Sequence, residues 1–275
     1  MPPNFTPTFV RVERSRETAR SVSTALEANG GLVGQDLMLP GRLDGASAAF
    51  APGQVTAICG PNGAGKSSLL ACMAGILTPT TGTVELDGAN LSAMPPSARA
   101  QALGFLPQQA EVAWDLSVET LVRLGRLPWH DSAAADQAAV AAALAAMQLG
   151  ALRGAPLSRL SGGQRARALL ARVLAGTPRW VLADEPLANL DLAHQLALLA
   201  HLRGLAAQGL GVVVVLHDLA QAMNYADAVA VMADGRVVRQ GAPEAVLDAA
   251  ALHDVWGVKA RWLGEPRARA LVVEP

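Results

Sequence analysis

The stretch "VTAICGPNGAGKSS", residues 55–68, constrains the fold more than any other part of the chain. A short apolar run passes straight into a glycine-rich loop, so a strand must stop, turn through glycine and hand over to whatever follows. The loop has the pattern Gly-x4-Gly-Lys-Ser and comprises Gly60, Pro61, Asn62, Gly63, Ala64, Gly65, Lys66, Ser67 and Ser68. Bare glycines let backbone N–H groups converge on phosphate oxygens, Lys66 reaches the outer phosphates, and the Ser67 hydroxyl is a ligand for Mg²⁺. A glycine turn that only caps a helix is the plainer alternative. Lysine usage weighs against it: only Lys66 and Lys259 occur, and one of the two falls where a phosphate loop requires it.

At 275 residues and 51% hydrophobic content the chain has enough apolar surface for one large domain, or for a domain carrying a smaller insert. Residues 1–30 mix Pro, Ser, Thr and alternating charges and read as a loose extension, with a short edge strand conceivable in "TFVRVE". After the loop, "KSSLLACMAGIL" predicts a helix with Leu69, Cys72, Met73 and Ile76 on its core face. Asp87-Gly88 and Asp234-Gly235 each sit between short apolar runs and predict hairpins. "ALGFLPQQ" predicts a brief strand ending at Pro107 and Gln108. "RWVLADEP" and "LGVVVVLHD" are continuous apolar runs, the pattern of parallel strands buried on both faces. Between "ALGFLPQQ" and "RWVLADEP", residues 113–159 turn alanine-rich and predict an all-helical insert. One of its helices is capped by Ser132 and has Val140, Leu144 and Met147 on one side. The tail, residues 242–275, predicts one short helix, "PEAVLDAAAL", and then an irregular segment with room for a small hairpin.

Net charge is -1, so no bulk field favours nucleic acid or anionic lipid. The apolar runs are too short to span a bilayer, and the first residues lack the charged start and apolar stretch of a secretory leader. Cys59 and Cys72, both in apolar surroundings, read as reduced structural thiols. The expectation is a cytosolic protein that meets a membrane only through a partner.

Kinases, GTPases and many ATPases share a phosphate loop, so the acidic cluster decides the chemistry. Asp184 ends one apolar run, where a carboxylate can hold Mg²⁺ directly or through water. Glu185 beside it can orient and deprotonate an attacking water. His217 ends the next run, within reach of a terminal phosphate on the same sheet edge, and Asp218 after it fits a helix cap. Gln108, where the strand meets the helical insert, can ligate Mg²⁺ or position water. A second anion site is written in "RLSGGQRARALLARVL". There Ser161, Gly162, Gly163 and Gln164 open a helix whose N-terminal amides can grip a phosphate but whose side chains cannot activate water. An ordinary helix cap is the alternative.

In order and spacing, "GPNGAGKS", "LPQ", "LSGGQ", "VLADEP", "NLD" and "LHD" resemble an ATP-binding cassette (ABC) ATPase over residues 43–241. The resemblance implies an α/β P-loop NTPase with a RecA-like, mostly parallel core, an antiparallel β subdomain and an inserted α-helical subdomain. The cassette would span residues 31–241. ATP and Mg²⁺ are the implied cofactors, the cation held by Ser67, Gln108 and Asp184. Glu185 would be the catalytic base, His217 the switch histidine, Gln108 the lid-loop glutamine and Asp191 a loop aspartate crossing between subunits. Two copies would pack head to tail, with Ser161, Gly162, Gly163 and Gln164 of one closing over the phosphate held by the loop of the other.

Two departures stand out. Cassettes usually carry an aromatic residue ahead of the loop to stack on adenine, but residues 30–45 contain none, leaving Leu37 or Leu39 for apolar contact. Asn189 stands where a small residue is commoner. With one set of motifs, the chain looks like a separate subunit docked beneath a permease at the cytoplasmic face, a periplasmic binding protein acting with it indirectly and nucleic acid taking no part. "GRLPWHD", "NLDLAHQLALLAHL" and "VLHDLAQAMNYAD" are similar to the ATPases of iron-siderophore, haem and cobalamin importers. Ferric hydroxamate-type siderophores come first by that resemblance, haem second and cobalamin third. The contrasting alternative is a soluble cassette ATPase acting in DNA repair or on ribosomes. Such relatives usually have two fused cassettes or long coiled-coil insertions, neither of which is visible here.

Overall fold

The computed structural model describes residues 31–108, 115–188 and 190–274. The N-terminal extension with its candidate strand, the first residues of the expected insert, and Asn189 lie outside the described residues. The chain opens with β1 (Leu32–Leu39) and β2 (Leu43–Phe50), then β3 (Val55–Cys59) leads into helix α1 (Lys66–Met73). Strands β4 (Thr81–Leu86) and β5 (Ala89–Asn90), helix α2 (Pro96–Ala102) and β6 (Leu103–Leu106) follow. Helices α3 (Val118–Arg123), α4 (Ala133–Ala146) and α5 (Gly162–Ala175) pack together before the chain returns to β7 (Trp180–Ala183). Next come α6 (Leu192–Ala207), β8 (Gly211–Val215), α7 (Leu219–Tyr225), β9 (Ala228–Ala233) and β10 (Arg236–Gly241). The tail holds α8 (Pro243–Val246), α9 (Ala249–Trp256) and the hairpin β11 (Ala260–Leu263) and β12 (Ala270–Val273).

The strands form a six-stranded sheet of order β10-β9-β3-β8-β7-β6, parallel except at β10, and a four-stranded antiparallel sheet of order β2-β1-β4-β5. Every residue of β3, β7 and β8 is buried, as continuous apolar runs require. Alternation then sorts their side chains between two cores. Val55, Ala57, Val212 and Val214 face the helices that follow, whereas Ile58, Val213 and Val215 face α1 and the antiparallel sheet. Both predicted hairpins form. Asp87 (φ 52) and Gly88 (φ 77), and Asp234 (φ 49) and Gly235 (φ 73), supply the paired left-handed residues that match strand twist.

The sequence expectations need correction in two elements. Helix α1 stops at Met73, and Gly75 (φ 68) turns the chain away, so Ile76 is 56% exposed instead of on the core face. The tail has two short helices, not one, because Asp248 starts a new helix by accepting a hydrogen bond from the Ala251 amide at 2.7 Å.

In the helical layer a buried cation holds an exposed knuckle. Arg126 is 5% exposed. It donates from Nη2 to Asp131 at 2.5 Å, from Nε to Asp136 at 2.7 Å and from Nη1 to the Ala175 carbonyl at 3.2 Å. Its guanidinium lies 4.7 Å from the Trp129 ring centre, and Trp129 Nε1 donates to the Gly176 carbonyl at 3.0 Å. The segment containing Leu127, 74% exposed, is thereby fixed to the C-terminal end of α5, where a cation is favoured. Arg126→Met keeps the apolar stem but strands these acceptors, and should cost about 2–3 kcal/mol of stability. The midpoint of urea unfolding reads it, and an unshifted midpoint would show that the hub holds nothing.

Candidate nucleotide site

Strand β3 delivers the chain to the loop at Cys59, and the loop delivers it to α1 at Lys66. Gly65 caps the helix with φ 93 and no side-chain acceptor, so the leading N–H groups of α1 are left for an anion. A Cβ at Gly65 would lie 2.5 Å from the Arg42 carbonyl oxygen, so both the φ and the close approach demand glycine. Lys66 is 5% exposed, and its ammonium donates to the carbonyls of Gly60 at 2.9 Å and Pro61 at 2.8 Å. Burial draws its pKa below the usual lysine value, while Glu185, Cys59 and Asp184 oppose that shift.

Three neighbouring strands end beside this loop. From β7 comes Asp184, 7% exposed, which accepts a 3.0 Å hydrogen bond from Ser67 Oγ. Burial raises its carboxyl pKa, and the Ser67 bond works the other way. Glu185 follows at φ 48, a left-handed conformation that a non-glycine residue adopts at a cost and that turns the chain sharply off the strand end. From beyond β6, Gln108 Nε2 donates to Glu185 Oε2 at 2.6 Å. From beyond β8, His217 Nε2 lies 2.5 Å from Glu185 Oε1. Gln108, Glu185 and His217 are thus joined, and Ser67 is joined to Asp184, at the carboxyl edge where open α/β sheets bind their ligands.

A cleft of about 310 Å³ opens over the loop, lined by Asn62, Gly63, Lys66, Ser67 and Ser68, by Glu185, and by Gly41 and Arg42 from the β1–β2 turn. Sequence reasoning missed Gly41 and Arg42. The apolar contact expected of Leu37 does not hold, because Leu37 is wholly buried in the core and Leu39 packs against the same cluster. The cleft is instead lined there by Arg42, whose guanidinium is a planar cation able to stack on a base. The Pro40-Gly41-Arg42 turn was visible in the sequence; its docking on Gly65 was not.

Ser161, Gly162, Gly163 and Gln164 do not line this cleft. They open α5 through a capping box: Ser161 Oγ accepts from the Gln164 amide at 3.3 Å, and Gln164 Oε1 accepts from the Ser161 amide at 3.0 Å. Asp191 caps α6, accepting from the His194 amide at 2.9 Å. Asp218 likewise caps α7 through the amides of Ala220 and Gln221. Cys59 and Cys72 are buried free thiols, and burial pushes Cys59 up to about 12, so it stays protonated and inert.

Residues 43–188 match the protein-family model for the ABC transporter. The chain belongs to the ABC transporter ATPases. This ABC ATPase is 43% identical over 254 residues to the hemin import ATP-binding protein HmuV of Streptomyces coelicolor, covering 91% of this chain and 90% of that one. It is 45% identical over 235 residues to HmuV of Nocardia farcinica, covering 85% and 82%. Among solved structures it resembles cbiO1 of Clostridium perfringens, part of the ABC transporter complex cbiONQ, with a TM-score of 0.72 and 28% identity over 81% of this chain and 92% of that one. Like its family, this ABC ATPase binds ATP and hydrolyses it. Among its described residues no helix is long and apolar enough to cross a membrane.

Proposed function

We propose that this ABC ATPase energises haem uptake through a separate permease, working as a head-to-tail pair at the cytoplasmic face, with a periplasmic binding protein delivering the cargo. The observation that carries the motor reading is the convergence of Gln108, Glu185 and His217 beside the phosphate loop, while the second phosphate-gripping turn, Ser161–Gln164, stands outside the cleft. One chain then holds a complete chemical apparatus and only half of an enclosure.

In this reading the loop amides and Lys66 hold the phosphates, and Glu185 faces the terminal one. Water attacks the terminal phosphorus: a new bond forms from its oxygen, the bond to the bridging oxygen of ADP breaks, and Glu185 takes the water's proton. Gln108 and His217 clamp both carboxylate oxygens and so fix the direction of the base. Ser67 and Asp184, already paired, fit a Mg²⁺ ion, with Gln108 a further ligand on closure. Bound there, the cation supplies neutralisation of the phosphate charge.

Haem moves ahead of ferric hydroxamates and cobalamin because the similar proteins named above are hemin importers. The same names count against a role in DNA repair or on ribosomes. Purified with its permease in proteoliposomes, the ATPase should be stimulated several-fold by hemin-loaded binding protein, with hemin accumulating inside. Stimulation by a ferric hydroxamate or cobalamin instead would overturn the cargo, and co-purification with ribosomes or DNA in place of a polytopic membrane protein would overturn the transport role.

A further inference from the structure

His194 lies outside the nucleotide cleft, yet it touches two segments that the head-to-tail reading sends to the partner subunit. Its Nδ1 sits 2.7 Å from Asp191 Oδ1, the same oxygen that accepts the His194 amide hydrogen bond at 2.9 Å. Those two contacts hold the Asp191 carboxyl well below the usual carboxylate range, so the acceptor is a full anion. The remainder of the imidazole lies flat on Gly163. A Cβ built there would fall 2.1 Å from His194 Cδ2, 2.5 Å from Cγ and 2.6 Å from Nε2, so the ring occupies the space that any other residue would fill. Gly163 is itself buried. The neighbouring Gln195 anchors the same loop from behind, donating to the Leu190 carbonyl at 3.0 Å and accepting from Gln221 at 2.8 Å.

We propose that His194 is a positioning residue for hydrolysis in the partner's site: it locks the Ser161–Gly163 turn and Asp191 into one rigid unit, so that both arrive together at the phosphate across the dimer. This rests on the head-to-tail reading. The lock has a directed half, the Nδ1 contact with Asp191, and a packing half, the ring face on Gly163. Without the first, the ring is free to rotate away and the turn and the loop move independently. Since neither contact touches the chain's own loop, binding of ATP to one subunit should not sense the lock, whereas closure and turnover should.

Three variants separate the halves. His194→Asn keeps an amide nitrogen where Nδ1 was and an oxygen near Cδ2, so it should retain closure and kcat within about threefold. His194→Phe keeps a ring but no nitrogen, and His194→Ala keeps neither; both should lose about tenfold in kcat and need about tenfold more ATP for closure, the scale of one lost charge-assisted hydrogen bond. Monomer ATP affinity, measured by fluorescent-nucleotide titration, should stay unchanged in all three, with unchanged thermal unfolding as the folding control. His194→Phe turning over like the wild type would reduce the ring to filler and overturn the proposal. So would a common loss of monomer affinity. Ser161→Arg, run alongside, distinguishes this failure from that of the dimer reading: if it too closes normally, the head-to-tail arrangement itself is wrong.

Discussion

Glu185→Gln should bind ATP as tightly as the wild type and hydrolyse it about 10³-fold more slowly, the usual scale for removing a positioned general base. The side chain is 15% exposed and is clamped through both oxygens, so its shape and position are set by Gln108 and His217. Glutamine preserves that shape and still pairs with both neighbours once its amide is oriented, but it has no oxygen basic enough to take a proton from water. It also removes a negative charge beside the terminal phosphate, which favours the closed, ATP-filled state. The variant should therefore accumulate as ATP-bound dimers on gel filtration, while the wild type cycles back to monomers. Turnover within about tenfold of the wild type in single-turnover assays would remove Glu185 as the base and leave Asp184 or a water chain to be tested.

What could be read from the sequence divides along a physical line. The strand–glycine loop–helix unit, the two Asp-Gly hairpins, the doubly buried strands and the Ser132 cap are dictated by a few neighbouring residues, so local rules reach them. Gln108, Glu185 and His217 lie far apart in the chain, but each follows an apolar run, and parallel strands of one sheet put such ends on one edge. Ile76 failed because Gly75 ends the helix before the period reaches it. Leu37 failed because a register shift in β1 between Gly34 and Met38 decides which side chains reach the core, and nothing in the local letters marks that shift. Arg42 in the cleft and His194 on Gly163 depend on how two distant segments dock. The only written trace of either contact is the glycine that leaves room for it.

Mixing two variants, each all but inactive at an ATP concentration near the wild-type affinity, should restore activity. Ser161→Arg places a long cation where the turn must approach the partner's phosphate and breaks the capping box of α5, so closure and turnover should fall at least about 100-fold. Monomer ATP binding should be untouched, because Ser161 does not line the cleft. Lys66→Ala should do the reverse, weakening binding of ATP to the monomer itself by at least about tenfold, the lower end for a lost charge-assisted phosphate contact. In a head-to-tail dimer each site takes its loop from one subunit and its turn from the other. A mixed dimer then carries both lesions in one site and leaves the second wholly intact. Random assortment of equal amounts makes half the dimers mixed, so ATPase activity should recover to about a quarter of the wild-type value per subunit. If the loop and turn of one chain served the same phosphate, every subunit in the mixture would carry a damaged site and mixing would restore nothing. An inactive mixture, with exchange of subunits verified by a tag on one variant, would therefore place the turn over its own loop. A recovered one requires the phosphate at Ser161 to belong to the partner.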